Sequence, residues 1–151
     1  MNKKQLRDLV IRVLQDIELY SDDAVELILG TIAQESKGGE YIKQLGNGPA
    51  LGICQMESAT FKDIIDNFLQ YKQDLARKIK YVSGVDGFKA KYLEYNLAFS
   101  IAMCRVHYLR VNESLPSSLD GWAKYWKQYY NTYLGKGTEE EYINNYKKYV
   151  L

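Results

Sequence analysis

The sequence predicts a mainly helical α+β domain, with about seven helices around a buried central helix and a small β-hairpin or short sheet beside a cleft. Apolar residues recur at helical spacing through most of the chain. The segment from Leu93 to Val111 has no polar face, and a glycine-rich stretch between residues 37 and 55 interrupts the helical pattern. Because the 151 residues contain no linker or internal repeat, we expect one domain over 1–151.

Apolar spacing and capping residues predict the first two helices. Residues 6–17 carry apolar side chains at three- and four-residue steps, which indicates a helix that ends around Tyr20. Ser21 and the two aspartates after it are typical of the start of a second helix. The buried face of that helix consists of Val25, Ile28, Leu29 and Ile32. One more turn places Glu35 on the same face, so we expect its side chain to point inward.

The middle of the chain contains the predicted β element. Glycines with Pro49 preclude a long helix between residues 37 and 55, and the apolar runs 41–45 and 51–56 predict small strands. Ser58 is a candidate cap for a third helix that extends to about Leu69, and a fourth helix runs from about Tyr71 to Val82.

The carboxyl-terminal part predicts three more helices. A helix over 93–111 that is apolar on all sides is buried, so we expect it at the centre of the domain. After Pro116, the next helix is marked by Leu119, Trp122, Trp126, Tyr129, Tyr130 and Tyr133. Gly135 and Gly137 favour a turn, and Thr138 with Glu141 has the spacing of a capping box that opens the last helix.

Composition and charge argue against several classes of function. Twenty basic and nineteen acidic residues leave a net charge of +1, so we expect no nucleic-acid partner. Cys54 and Cys104 have apolar neighbours and, with a single histidine, do not form a zinc ligand set. We expect buried free thiols, no metal and no cofactor. Since Arg7, Asp8 and Arg12 interrupt any apolar run, we expect no signal peptide and no stable membrane insertion.

Glu35 is the residue whose position points to chemistry. A carboxyl group held against apolar neighbours resists ionisation, because its charged form loses more hydration than its neutral form. Such a group is a proton donor near neutral pH. The alternative is a helix-end glutamate that is solvated or caps a neighbouring segment, and the spacing alone leaves both interpretations open.

An ordered set of residues extends from Glu35. Glu35-Ser36 is followed by Gly48-Pro49-Ala50-Leu51-Gly52-Ile53-Cys54-Gln55-Met56 and then by Thr60. This set resembles the signature of soluble lytic transglycosylases and goose-type lysozymes, and it is most similar to phage-encoded members. The resemblance extends over essentially the whole chain. It implies a lysozyme-like fold and cleavage of the β-1,4 bond between N-acetylmuramic acid and N-acetylglucosamine in bacterial peptidoglycan.

The resemblance also implies roles for particular residues. Glu35 is the expected general acid, and Glu57 is the candidate for directing water, because goose-type lysozymes carry an Asp at that place. Many transglycosylases have no acid there, so hydrolysis and transglycosylation both stay open, and the alternative for Glu57 is a helix cap. Glu40 and Asp63 are weaker candidates. The expected substrate-binding residues are Ser36, Gly48, Ala50, Gln55, Met56, Tyr130 and Asn131.

Two late segments resemble further family features. Tyr130-Asn131 is similar to a Tyr-Asn motif that borders the site opposite the glutamate. A tyrosine there would bind the sugar or help to hold Glu35. Asn96 resembles a helix-borne asparagine of the family, for which we expect a structural hydrogen bond.

The expected partner is the glycan strand of peptidoglycan, bound by a monomer. Phage origin implies synthesis in the host cytoplasm and delivery to the cell wall by a holin or in a virion. One alternative is a non-catalytic virion structural protein or peptidoglycan-binding module that kept the fold and lost turnover. Another is a thiol peptidase, since Cys104 and His107 share a helix face, although an inert core cysteine explains the same pattern.

Overall fold

The computed structural model describes residues 1–132 and 134–151, and it is mainly helical with a two-stranded antiparallel sheet. The helices are α1 Lys3–Asp16, α2 Asp22–Ser36, α3 Ser58–Asn67, α4 Gln73–Ser83, α5 Tyr92–Tyr95, α6 Leu97–Leu109, α7 Leu119–Trp126 and α8 Glu139–Tyr149. The strands are β1 Ala50–Leu51 and β2 Met56–Glu57. A 3₁₀ turn, Leu69–Tyr71, joins α3 to α4, and a π-helical turn, Lys127–Asn131, continues α7. Tyr133, which the sequence places in a helix, lies outside the described residues.

The predicted fold class, mainly α with a small β element, is confirmed. Two predicted caps are also present: Ser21 Oγ accepts from the Ala24 backbone N–H at 3.0 Å, and Thr138 Oγ1 accepts from the Glu141 N–H at 3.1 Å. The cap predicted for α3 is wrong. Ser58 is the first helical residue, and Glu57 precedes it without a side-chain capping bond.

Helix α6 lies at the centre of the protein, as predicted, and packs against α1, α2, α3 and α4. Its side chains face the core on all sides, and Ile101 and Met103 are fully buried. The single helix predicted over 93–111 is instead two helices, because Asn96 takes an extended conformation between α5 and α6. In the described part of the chain, no helix is both long enough and apolar enough to cross a membrane.

Asn96 makes the structural hydrogen bonds that we expected of it. Its Oδ1 accepts from the Phe99 N–H at 3.0 Å and caps α6, while its Nδ2 donates to the carbonyl of Ser83 at 2.8 Å. Both polar ends of the side chain are therefore used within the fold, which joins the start of the central helix to the end of α4.

The hairpin differs in detail from the predicted strands. Ala50 pairs with Glu57 and Leu51 pairs with Met56, so the run 51–56 contains the turn instead of forming one strand. Gly52 has a φ of 80°, and a Cβ atom there would lie 1.9 Å from the Leu93 carbonyl oxygen. The hairpin therefore sits directly on α5 through a position that only glycine can occupy.

Helix α2 is held between α7 and α8. A Cβ atom at Gly30 would lie 2.0 Å from the hydroxyl oxygen of Tyr142, whose O–H donates to the Leu27 carbonyl at 3.0 Å. The ring of Tyr142 lies against Trp126, with a centroid distance of 5.4 Å. This close packing brings Trp126 of α7 to the end of α2, where Glu35 lies.

Candidate active site

A cleft of about 470 Å³ opens between the hairpin, the end of α2 and the π-helical turn. Both predicted catalytic residues, Glu35 and Glu57, line it. The predicted substrate-binding residues that line the cleft are Ala50, Gln55, Met56, Tyr130 and Asn131. Ser36 and Gly48 are not among its lining residues. The structure thus brings most of the predicted site residues together, although they come from distant parts of the chain.

The carboxyl group of Glu35 is desolvated and hydrogen-bonded. It lies in the last turn of α2, and its Oε2 accepts a 2.9 Å hydrogen bond from the indole Nε1 of the fully buried Trp126. Burial raises the pKa of Glu35 to about 7, even though the bond from Trp126 acts in the opposite direction. Near neutral pH this carboxyl therefore exists in both forms, which suits a group that gives up a proton.

Glu57 is exposed at the rim of the same cleft and comes from a different element, β2. Its side chain makes no capping bond to α3, so the capping alternative is not what the structure shows. A carboxyl on the hairpin and a carboxyl on α2 therefore face one cavity. This arrangement supplies a second acid whose environment differs from that of Glu35.

The two weaker candidate acids are placed elsewhere. Glu40 is exposed and does not line the cleft. Asp63 is engaged by Arg110, whose Nη1 donates to Oδ2 at 2.7 Å, and by Asn67 Nδ2 at 2.6 Å. The bond from Arg110, followed by the bond from Asn67, lowers the pKa of Asp63 below its ordinary value. Asp63 is therefore suited to a charged structural role and not to proton donation.

Ser36 has a structural position, which corrects the expectation that it contacts substrate. Its side chain is completely buried, and its Oγ lies 2.7 Å from the Ile53 carbonyl, to which it donates. The same Oγ accepts from the Gly39 N–H at 3.1 Å. Ser36 thus ties the end of α2 to the hairpin next to Glu35, where a ligand in the cleft does not reach it.

Gly48 does not line the cleft but makes room for Gln44, which does. A Cβ atom at Gly48 would lie 2.0 Å from the side-chain amide of Gln44, so only glycine leaves room for that amide. The Oε1 of Gln44 accepts from the Ala50 N–H at 3.0 Å, and its backbone N–H donates to the Ala50 carbonyl at 2.9 Å. Gln44 closes the loop in this way and lines the cleft itself.

Gln55 and Tyr130 line the cleft while they hold its wall together. Gln55 has a φ of 49°, and its Nε2 donates to the Gly52 carbonyl at 2.8 Å. The hydroxyl of Tyr130 donates to the Cys54 carbonyl at 2.5 Å and makes no hydrogen bond to Glu35. Burial raises the pKa of Tyr130 well above its ordinary value, so the phenol stays protonated. The suggestion that Tyr130 holds Glu35 is therefore wrong, because the O–H of Tyr130 is donated to the hairpin.

Asn131 is oriented by a lysine. Lys127 Nζ donates to Asn131 Oδ1 at 2.7 Å, and it also donates to the carbonyls of Gly135 at 3.0 Å and Gly137 at 2.7 Å. One ammonium group therefore binds both the π-helical turn and the loop that follows it. Asn131 and Gly135 are held at the cleft by this cluster.

The thiol-peptidase alternative receives no support from the geometry. Cys104 is fully buried, and burial raises the pKa of its thiol, which disfavours the nucleophilic thiolate. The Nδ1 of His107 lies 3.1 Å from an Arg110 nitrogen, so this ring nitrogen is occupied. Among the described residues, no group of three or more His, Cys, Asp or Glu side chains is arranged to hold a metal ion.

The comparisons with known proteins do not assign the chain to a family. No family model, curated protein or solved structure matches it. The motif around Glu35 and the geometry of the cleft are therefore the features of this chain that point to a function.

Sequence reasoning missed several residues of the site. Trp126 was expected only as an apolar helix residue, yet it is the hydrogen-bond partner of Glu35. Tyr41, Gln44 and Leu45 line the cleft without having been expected as site residues. His107 also lines it, although the sequence suggested it only as the partner of Cys104 in a thiol peptidase. Gly48 could have indicated a neighbour such as Gln44, since a glycine often marks a place where another group lies close to the backbone. No local pattern identifies Trp126, because its partner lies in another helix.

Proposed function

We propose that this chain is a lysozyme-like muramidase that cleaves the β-1,4 bond between N-acetylmuramic acid and N-acetylglucosamine in bacterial peptidoglycan. The observation that carries the proposal is the Glu35 carboxyl, which is partly buried in the wall of an open cleft and has a pKa of about 7. Cleavage of a glycosidic bond requires a proton donor for the leaving oxygen. Glu35 is the carboxyl in this cleft whose environment favours the protonated form.

In the proposed reaction, Glu35 gives its proton to the glycosidic oxygen as the bond from that oxygen to the sugar carbon breaks. The positive charge that develops on the sugar carbon is then captured in one of two ways. In hydrolysis, Glu57 removes a proton from a water that attacks this carbon. In lytic transglycosylation, a hydroxyl of the same sugar attacks this carbon, gives its proton to the Glu35 carboxylate and leaves an anhydro end. The exposed position of Glu57 on the hairpin is compatible with the first route.

The proposal includes a lysozyme-like fold and a phage origin as an endolysin or virion-associated lysin. The fold is supported by the buried α6, by Glu35 at the end of α2 and by the hairpin beside the cleft. The phage origin is supported by the resemblance of the motif from residue 48 to residue 60. A monomer acting on glycan strands is the proposed form.

Digestion of purified peptidoglycan by wild type and Glu35→Gln tests the proposal, with the sugar ends identified by mass spectrometry. We expect wild type to release fragments and Glu35→Gln to be at least about 100-fold slower, because it lacks the proton donor. Glu40→Gln is the matched control, since Glu40 is exposed outside the cleft and its removal leaves the rate unchanged. Reducing ends indicate hydrolysis, and anhydro ends indicate transglycosylation.

Three results contradict this function. They are an unchanged rate for Glu35→Gln, the appearance of new peptide ends, and binding of peptidoglycan by wild type without any product. The last result indicates the alternative function, a non-catalytic peptidoglycan-binding module. A folding defect does not explain a loss in Glu35→Gln, because an amide can accept the bond from Trp126 and avoids the cost of a buried charge. Its thermal midpoint at pH 8 is expected to be no lower than that of wild type.

A further inference from the structure

His107 is the single histidine of the sequence, and it lies near the end of α6 on the wall of the cleft. Its ring meets the ring of Tyr130 edge to face, with a centroid distance of 5.0 Å and an interplanar angle of 67°. The proposed reaction assigns no role to this side chain. It is nevertheless a polar group in the wall of the same cavity that contains Glu35.

Arg110 fixes the protonation of the ring. Its Nη2 lies 3.1 Å from His107 Nδ1. A guanidinium group can only donate hydrogen bonds, so Nδ1 must accept and must carry no proton. A neutral imidazole with a bare Nδ1 carries its hydrogen on Nε2. The contact therefore selects one tautomer, in which Nε2–H is a donor.

Arg110 is itself held in place. Its Nη1 donates to Asp63 Oδ2 at 2.7 Å, and its side chain is only 22% exposed. The charged groups that act on His107 are these two residues, with the Arg110 cation adjacent to the ring and the Asp63 carboxylate beyond it. Burial, followed by the Arg110 charge, lowers the pKa of His107 to about 4. The ring is therefore neutral at the pH values at which Glu35 titrates.

Because Nδ1 is engaged by Arg110, the Nε2–H is the ring donor that is left for a ligand. In the part of the chain that the structure describes, Nε2 has no hydrogen-bond partner, and it is not completely buried. The opposite nitrogen is occupied by Arg110. A ligand in the cleft that offers an acceptor oxygen completes the hydrogen bonding of the ring, whereas a ligand that offers only a donor does not.

We propose that His107 is a substrate-binding residue that donates its Nε2–H to a hydroxyl or acetamido carbonyl oxygen of the glycan, and that Arg110 and Asp63 are positioning residues that hold it in this tautomer. The identity of the ligand as a glycan rests on the proposed function. The assignment of the tautomer and of the donor atom rests on the contacts of His107 alone.

Nitrogen NMR of His107 provides the direct test, because the chain has no other histidine signal. We use Glu35→Gln, which retains the cleft, and titrate it with a tetrasaccharide of alternating N-acetylglucosamine and N-acetylmuramic acid. The free protein is expected to show a protonated Nε2 and an unprotonated Nδ1 between pH 5 and pH 8. Added glycan is expected to shift the Nε2 and Nε2–H signals much more than Nδ1. A mixture of tautomers, or bound glycan that leaves Nε2 unshifted, overturns the inference.

Kinetics on an active background provide the second test. His107→Phe keeps an aromatic ring beside Tyr130 but removes the donor, so KM is expected to rise about 10-fold while kcat changes less than about 2-fold. His107→Gln restores an amide donor and is expected to recover most of the loss. A general loss of structure would lower the active fraction and kcat without this recovery.

Arg110→Gln tests the positioning role. Loss of the obligatory donor frees the ring to exchange tautomers, so the Nδ1 and Nε2 signals are expected to move toward a common average and KM to rise. Arg105→Gln is the matched control on α6, since Arg105 Nε donates to the Leu19 carbonyl at 3.0 Å and Arg105 does not line the cleft. It is expected to leave the tautomer and KM unchanged. A tautomer that is unaffected by Arg110→Gln contradicts the positioning role.

The inference about His107 and the proposed muramidase function are contradicted by different results. If wild type cleaves glycan but His107→Phe has an unchanged KM, the inference about His107 is wrong and the muramidase function stands. If wild type neither binds nor cleaves the tetrasaccharide, the function is wrong and the inference falls with it.

Discussion

At the scale of single residues, the ionisation of Glu35 is set by two opposing contacts. Burial among the side chains at the end of α2 disfavours the carboxylate, whereas the indole N–H of Trp126 stabilises it. Burial has the larger effect, and the pKa rises to about 7. The pKa of this carboxyl therefore lies near neutral pH. Trp126, which does not itself titrate, holds the carboxyl in one orientation.

Trp126→Phe is expected to move the alkaline limb of the pH–rate profile. Loss of the N–H removes the bond that favours the carboxylate, so the pKa of Glu35 rises above 7. A general acid works only when it is protonated, so the pH at which activity falls is expected to rise by about one unit. Measurement of kcat between pH 5 and pH 9 checks this shift. Trp122→Phe is the control, because Trp122 is also on α7 but its indole donates to the carbonyl of Pro116, which precedes the helix. Equal shifts in both variants contradict the assignment.

At the scale of elements, the hairpin is attached to the helices by its turn. Ser36 donates to the Ile53 carbonyl at 2.7 Å, and Tyr130 donates to the Cys54 carbonyl at 2.5 Å. Gly52 lies against α5 with no room for a side chain. These contacts use backbone groups that a two-residue ladder cannot satisfy on its own. The short hairpin is therefore a rigid wall of the cleft because helices hold it from outside.

Gly52→Ala is expected to destabilise the protein by about 2–4 kcal/mol, because it combines a left-handed φ with an overlap that forces the backbone apart. Gly46→Ala is the matched control, since Gly46 has a φ of 78° but nothing within 4 Å of a built Cβ. Its expected cost is only about 1–2 kcal/mol. Urea unfolding gives the free energies of both variants, and peptidoglycan digestion shows whether only Gly52→Ala damages the cleft. Equal losses would mean that the hairpin does not depend on its contact with Leu93.

At the scale of the whole molecule, the two ends of the chain meet on the helix that carries Glu35. Arg7 of α1 binds Glu26 of α2 with both terminal nitrogens, at 2.5 and 2.8 Å. The hydroxyl of Tyr146, from α8, donates to the same carboxylate at 2.6 Å. Glu26 is 18% exposed, so this cluster is screened less than a surface ion pair. It fixes α2 against helices from both ends of the sequence.

Glu26→Gln is expected to reduce the free energy of unfolding at pH 7 by about 2 kcal/mol. Burial raises the pKa of Glu26, but the bonds from Arg7 and Tyr146 outweigh it and leave the pKa below its ordinary value of 4.5. A carboxyl with a lowered folded-state pKa contributes stability above its unfolded pKa and loses it as the pH falls through the folded value. The difference between wild type and variant should therefore shrink toward pH 3 in urea unfolding.

The control for that experiment is Asp8→Asn, which removes an exposed pair with Lys4 at 3.1 Å. Its expected effect is at most about 0.5 kcal/mol, because solvent screens the pair. If both variants lose the same amount, or if the loss from Glu26→Gln does not depend on pH, the cluster does not stabilise the packing of α2.

Much of the fold was readable from local sequence. The spacing of apolar residues predicted α1, α2 and the burial of α6, and the caps at Ser21 and Thr138 were correct. The break at Asn96 and the turn inside 51–56 were missed. The turn depends on the fit of Gly52 against Leu93, a residue 41 positions later, so the local run of apolar residues resembles a strand.

The sequence by itself determined that Glu35 lies on the apolar face of α2, because helical spacing continues that face to residue 35. The two resembling motifs predicted Gln55 and Tyr130 as site residues, and both line the cleft. Only the tertiary structure decided the partners of these groups. Trp126 reaches Glu35 across 91 positions of the chain. The periodicity of one helix sets the direction of a side chain about its own axis, whereas the crossing of two helices sets what that side chain meets.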